Sequence, residues 1–371
     1  MKSKTKVKDP KDLRHGYTTG ANATAATKAA LTALITGEEQ TEATIYLPVG
    51  QFVTFQMESC ECTGDTAVTG VIKDGGDDPD ATHGALIRST VTWSHTPGIT
   101  LDGGVGVGRV TKEGLPVPVG QAAINPVPRR MIHQVAKEVL EQYSVDKGIK
   151  IVISVPDGEE IAKKTLNGRL GIVGGISILG TRGIVVPFST SAYKASIAYA
   201  IEVAKQSGCD HVVITTGGRS EKYGIEQYPH LPKEAFIEMG DFVGFTLKQC
   251  KRKGIRKVSM VGMMGKFSKV AQGIMNVHSK SAPVDFDFIA NVAEEAGVQG
   301  TLLEEVRQAN TATQAGQFIL EHGYNTFFEK ICDRCCRSAL QETGGGLEIE
   351  TSLYTLKGTF LGKAVRHGTE D

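Results

Sequence analysis

The chain has 371 residues, enough for two domains with separate cores. Its 41 Lys and Arg residues balance 41 Asp and Glu, so no overall field draws it to nucleic acid or to an acidic membrane. Aromatic residues, at 6%, are too sparse for a nucleic-acid stacking platform, and the 44 glycines follow no fixed period, which excludes collagen and solenoid folds.

The first 16 residues, MKSKTKVKDPKDLRHG, are basic but lead into no apolar run, so they do not read as a signal peptide. No stretch of about 18 apolar residues exists to span a bilayer. Seven cysteines, an odd number, without an export signal imply reduced thiols and a cytoplasmic protein. A helix is expected over 20–36, capped by Thr18 or Thr19, rich in alanine and stopped at Gly37. Strand-like runs follow at 44–47, 52–58, 67–72, 86–93 and 107–111, then a helix at 127–143. Residues 1–148 thus read as an α+β domain with a largely antiparallel sheet.

The pattern then changes. Residues 151–155 read as a buried parallel strand. Ile184, Val185 and Val186 precede a helix at 189–206, with Ile197, Ile201 and Ala204 on one face. Strands are expected at 211–215 and 257–261 around a helix at 241–253, followed by helices within 286–341 and a late strand at 347–356. This alternation predicts an α/β doubly wound, Rossmann-like domain over 149–371. Such sheets bind ligands beyond the strand carboxyl ends, where the loops 215–224 and 262–269 would lie.

Several motifs can carry chemistry. Asp102-Gly103-Gly104-Val105-Gly106-Val107-Gly108 has the form of a nucleotide-binding glycine loop, but its sequel is β-branched and Pro-rich where a helix should start. It reads instead as a turn in the α+β domain. Tyr17-Thr18-Thr19-Gly20 offers hydroxyls and helix N–H groups to an anion, or simply caps a helix. The turn KDGGDDPDATHG (73–84) packs carboxylates closely enough to raise one another's pKa, as a general base or cation site requires, although a solvated turn has the same composition. Asn125 and the two arginines Arg129 and Arg130 open a helix with guanidinium forks suited to carboxylates. GISILGTRGIVVPFS (175–189) is a second glycine-rich loop. Gly262-Met263-Met264-Gly265-Lys266 fails the Walker spacing, which excludes a P-loop ATPase. Cys332, Cys335 and Cys336 are too close together for a zinc site without partners elsewhere.

In this order and register, GYTTGANATAATKAA, KDGGDDPDATHG, GGVGVGRVTKEGL, AINPVPR, GISILGTRGIVVPFS and GMMGKFSKVAQG resemble the CbiD family. These are the cobalt-precorrin-5B (C1)-methyltransferases of anaerobic cobalamin (vitamin B12) biosynthesis. The resemblance covers most of residues 16–273. It departs at Asn22, where the family commonly has Cys, and CDRCC is not a family feature.

The resemblance implies S-adenosyl-L-methionine as methyl donor and a cobalt corrinoid as acceptor, methylated at C1 to give cobalt-precorrin-6A. The cobalt arrives within the substrate, so no protein metal site is required. Asp77, Asp78, Asp80 and His83 are then the candidate catalytic groups. Thr18, Thr19, Gly20, Gly104, Gly106, Arg109, Lys112, Asn125, Arg129, Lys266 and Lys269 are candidates for the carboxylate-rich corrinoid. Gly175, Ser177, Gly180, Thr181, Gly183, Thr215, Thr216 and Gly217 are candidates for the donor, on the second domain across a cleft from the first. Homo-oligomers or transient contacts with other pathway enzymes are compatible with this reading; nucleic acid and membrane are not expected as partners. The competing readings are a non-catalytic corrinoid carrier and a nucleotide-dependent enzyme.

Overall fold

The computed structural model describes residues 12–368, which form a mixed α/β fold in two compact units, one ending at Thr190 and one beginning at Ser191. Of the basic N-terminal run, residues 1–11 lie outside the described residues. No helix among the described residues is long and apolar enough to cross a membrane.

The first unit is built around helix α1 (Thr19–Thr36). The Thr18 hydroxyl accepts from the Ala21 N–H, and Gly37 ends the helix in the left-handed conformation that glycine adopts without strain. Its alanines keep it narrow enough to be packed on two sides. Ala23, Ala30 and Leu31 meet the main sheet, while Ala21, Ala25 and Ala29 meet a hairpin of β1 (Glu42–Leu47) and β2 (Gln51–Gln56).

The main sheet contains β3 (Ser59–Thr63), β4 (Thr66–Ile72), β5 (Leu86–Ser94), β6 (Ile99–Gly103) and β7 (Gly148–Ser154), in the order β3-β4-β5-β7-β6. Only the β7–β6 pairing is parallel. Helix α2 (Pro126–Gln142) adds Ile132, Ala136 and Val139 to the same core.

Here the structure corrects the expected boundary after residue 148. Strand β7 does not open a second domain; it runs antiparallel to β5 and parallel to β6 inside the first sheet. Its Ile149, Ile151 and Ile153 alternate into the core of that sheet, a period-two burial that an apolar run conceals. Likewise Ile184 and Val185 pair with Tyr17 and Gly16, not with the later parallel strands.

The second unit opens with α3 (Thr190–Gln206), whose Ile197, Ile201 and Ala204 face its core as the spacing predicts. The elements that follow are β8 (His211–Thr215), α4 (Gly218–Gln227), β9 (Phe236–Glu238), α5 (Val243–Arg252), β10 (Lys257–Gly262) and α6 (Met264–Val270). Then come α7 (Phe286–Glu295), α8 (Thr301–Arg307), α9 (Ala312–Glu321), α10 (Thr326–Thr343), β11 (Glu348–Tyr354) and β12 (Phe360–His367).

The sheet order is β9-β8-β10-β11-β12, parallel except for the antiparallel edge β12. The late strand anticipated at 347–356 is therefore internal. The unanticipated β12 carries Lys363, Arg366 and His367, charges typical of an edge strand. The chain leaves β8 for α4 on one face of the sheet, where Tyr223 packs with Val213 and Val261; it leaves β10 for α6 on the opposite face, where Phe267 joins the large core. Between β8 and β10 the winding reverses, which is where open α/β sheets place their ligands.

Candidate functional site

In the first unit the motif loops converge and bind one another. The Thr18 N–H donates to Gly183 O (3.0 Å) and the Gly20 N–H to Leu179 O (3.0 Å). Thr19 is buried; its hydroxyl donates to Ser177 O (3.1 Å) and accepts from the Leu179 N–H (2.9 Å). The N–H groups of Gly20 and Ala21, expected to be open to an anion, are thus already taken. Asn125 N–H donates to Ile178 O (2.9 Å), and Asn167, buried nearby, binds Gly175 O and Ser177 Oγ. Asn22, where the chain departs from the resemblance, donates its side-chain amide to Thr18 O (2.8 Å) inside α1.

The glycine loop at 102–108 belongs to this cluster. No helix follows it: Gly106 and Val107 pair with Gly175 and Ile176, and Arg109 and Val110 with Val173 and Ile172. Gly106 has φ +71°, and a Cβ there would lie 1.8 Å from Val155 O, so only glycine fits. A Cβ at Gly104 would lie 2.9 Å from the Val152 side chain. This places Gly175, Ser177, Gly180 and Gly183 in the first unit, with the exposed Thr181, and not on the second domain as expected. The reason is the backbone pairing itself: the two glycine loops approach more closely than any side chain would permit.

The acidic turn is also internally committed. Arg14 forms a bidentate pair with Asp74, its N–H donates to Asp77, and the Asp78 carboxylate accepts from the Phe188 N–H (2.8 Å). Lys73, 1% exposed, pairs with Asp80 at 2.6 Å. Burial opposes the charged form of Asp80, but the attraction of Lys73 and hydrogen bonds from Lys73 and Thr82 outweigh it and hold the carboxyl below its usual range. The hydrogen bond from Arg14 likewise brings Asp74 down to about 2. His83 accepts the Gly75 N–H at Nδ1 (2.9 Å) and keeps an exposed ring. In its neutral form the proton then sits on Nε2.

The expected cationic clamps separate sharply. Arg109 is held by Asp102 (2.9 Å), Lys266 by Asp241 (2.9 Å), and the buried Lys269 reaches His278 O (3.3 Å). Lys112 also has partners. Among the described residues, Arg129, half-buried, and Arg130, exposed, form no ion pair. Arg129 lowers the pKa of His133, reinforcing the larger effect of burial.

In the second unit the turn after β8 lies at the carboxyl edge of the sheet, where the winding reverses. Thr215, the last residue of β8, is fully buried, and its hydroxyl has no partner among the described residues. Thr216 N–H is anchored to Ser220 Oγ (3.2 Å), which fixes the turn into α4. Beside Gly218 there is empty space, and the nearest atom to a Cβ at Gly217 would be Glu238 Oε1, 4.0 Å away. Glu238 ends β9 in register with Thr215, a placement visible only once the strand order is known. Sequence reasoning passed over this carboxylate.

Cys332, Cys335 and Cys336 are fully buried on α10, with Sγ atoms directed at Gly362 O, Phe267 O and Thr351 Oγ1. Burial raises all three thiols, so they act as packing groups.

Residues 6–187 match the family described as CbiD, and residues 276–365 match the family described as CbiD, C-terminal domain. A "Cobalt-precorrin-5B C(1)-methyltransferase" from Geobacillus sp. (strain WCH70) is 72% identical over 97% of this chain and 99% of its own length. Proteins of the same name from Priestia megaterium (68%; 97% of this chain, 98% of that protein) and Leptospira borgpetersenii serovar Hardjo-bovis strain JB197 (42%; 95% of each) are also similar. A 1.9 Å crystal structure of a cobalamin biosynthesis protein (cbiD) from Archaeoglobus fulgidus is 30% identical, covering 68% of this chain and 78% of that one, with a TM-score of 0.38.

Proposed function

The chain belongs to the CbiD family, and from that premise we propose that it methylates C1 of cobalt-precorrin-5B in cobalamin biosynthesis, with S-adenosylmethionine as donor. The observation that carries the reading is the match to methyltransferases of that name along 97% of the chain, at up to 72% identity. It is an enzyme of the cytoplasm in this reading, and its cobalt comes with the substrate.

The donor fits the carboxyl edge of the second-unit sheet. There Gly218 is exposed and has nothing within 4 Å on its Cβ side, so a ligand can approach the main chain and the first N–H groups of α4. S-adenosylmethionine supplies an electrophilic sulfonium methyl when bound. The residues of this chain supply orientation and exclusion of water, which can account for much of the rate enhancement of a two-substrate transfer.

The corrinoid has apolar faces and peripheral carboxylates. The first unit offers both complements: the exposed Val105, Leu179 and Phe188 on its loops, and the unpaired Arg129. Within the acidic turn, Asp80 is held charged by Lys73, so His83 is the group best able to exchange a proton with the substrate.

Incubating the chain with cobalt-precorrin-5B and methyl-labelled S-adenosylmethionine tests the proposal: label should appear at C1. A chain that retains the tetrapyrrole but transfers no label would be the carrier of the competing reading.

A further inference from the structure

We infer that the Glu238 carboxylate binds the vicinal ribose hydroxyls of the methyl donor, making the β8–α4–β9 segment its nucleoside site. This deepens the donor reading above and rests on it.

Three placements support the assignment. First, Thr215 and Glu238 are register partners on adjacent parallel strands, so the carboxylate stands level with the root of the Thr216–Gly217–Gly218 turn. Second, the turn is open on its outer side: a Cβ at the exposed Gly218 would meet nothing within 4 Å, and one at Gly217 only Glu238 Oε1, 4.0 Å away. Third, the carboxylate is left over: among the described residues the half-buried Glu238 forms no hydrogen bond or ion pair. By contrast, the nearby Asp241 is occupied by Lys266 at 2.9 Å.

The Glu238 carboxylate offers two acceptor oxygens to whatever occupies the turn. A cis-diol presents two O–H donors at matching spacing, and hydrogen bonds to a charged acceptor are the stronger kind. Tyr193 borders the same edge, its ring packed on Phe242 at 5.7 Å. Burial first, then Glu238 and Asp241, push its hydroxyl up to about 12, so it stays a hydrogen-bond donor. The sequence carries the matching signal: an acidic residue about 20 positions after a glycine turn that follows a strand.

The test is calorimetric titration of the full chain with S-adenosylhomocysteine and with its 2′,3′-dideoxy analogue. The wild type should prefer the diol by about 10- to 100-fold. Glu238→Ala should lose that preference and bind both ligands like the wild type binds the analogue, at an unchanged melting temperature. Glu238→Gln, which keeps an acceptor, should recover part of it. If Glu238→Ala still prefers the diol, or weakens both ligands equally, the ribose assignment is overturned and the donor reading stands. If the wild type binds neither ligand, the donor reading falls as well.

Discussion

Two glycine-rich turns, one in each unit, use glycine in opposite ways. In the first, Gly106 is pressed against Val155 O and Gly175 against Gly106 O, so the loops that look like ligand cradles are filled by one another. In the second, Gly217 and Gly218 are open on their Cβ side, and among the described residues the neighbouring Glu238 has no hydrogen-bond or ion-pair partner. A glycine-rich string therefore marks a close approach, and only the packing tells whether the approaching partner is the chain itself or a ligand.

The contrast breaks most readily at Gly106. Gly106→Ala places a methyl 1.8 Å from a carbonyl in a left-handed conformation, and should cost about 4 kcal/mol or more, read as loss of the cooperative melt. Gly218→Ala, with open space before it, should leave the melt within about 0.5 kcal/mol while weakening S-adenosylhomocysteine binding. Equal destabilisation by the two substitutions would erase the distinction.

A smaller effect is expected at the buried ion pair. Lys73→Met leaves Asp80 without its counter-charge, and should lower the urea midpoint by an amount equivalent to about 3 kcal/mol. Thr19→Val, which removes the donor to Ser177 O and the acceptor for Leu179 N–H, should cost about 2 kcal/mol and loosen the 177–183 loop. Faster amide exchange confined to that loop would locate the damage.

The smallest effect belongs to the second unit and depends on pH. His211, bonded to Ser259 Oγ at 2.8 Å, is depressed to about 4, first by burial and then by Lys257, with His230 acting in the same direction and Glu350 and Glu348 against it. Unfolded, the ring titrates near 6.5, so between pH 6.5 and 4 the unfolded chain binds more protons. Stability should fall by about 1 kcal/mol as pH drops through that window, since part of the effect is screened by solvent. In His211→Gln the melting temperature should lose this dependence.

How much of this was legible in the sequence follows from range. Helix α1 and strand β8 were readable because their signals are local: a cap, alanines and a terminal glycine in one case, a β-branched run before glycines in the other. Strand β7 was misassigned because its apolar residues say that it is buried but not which strands it joins. The loop 175–183 went to the wrong unit for the same reason, its partners Thr19 and Gly106 being far away in sequence. Arg109 and Lys266 looked like free cations until the structure supplied Asp102 and Asp241. Glu238 is an ordinary glutamate until the strand order sets it beside Thr215.

The cysteines turn the two units into a labelled pair. Cys60 and Cys62, both half-buried, lie in the first unit, whereas Cys209, Cys250, Cys332, Cys335 and Cys336 are all buried in the second. A thiol reagent applied to the native protein would tag the first unit at once and the second only during an opening event. The seven sulfurs thus form a built-in stopwatch, able to time the breathing of one half of the molecule without any engineered probe.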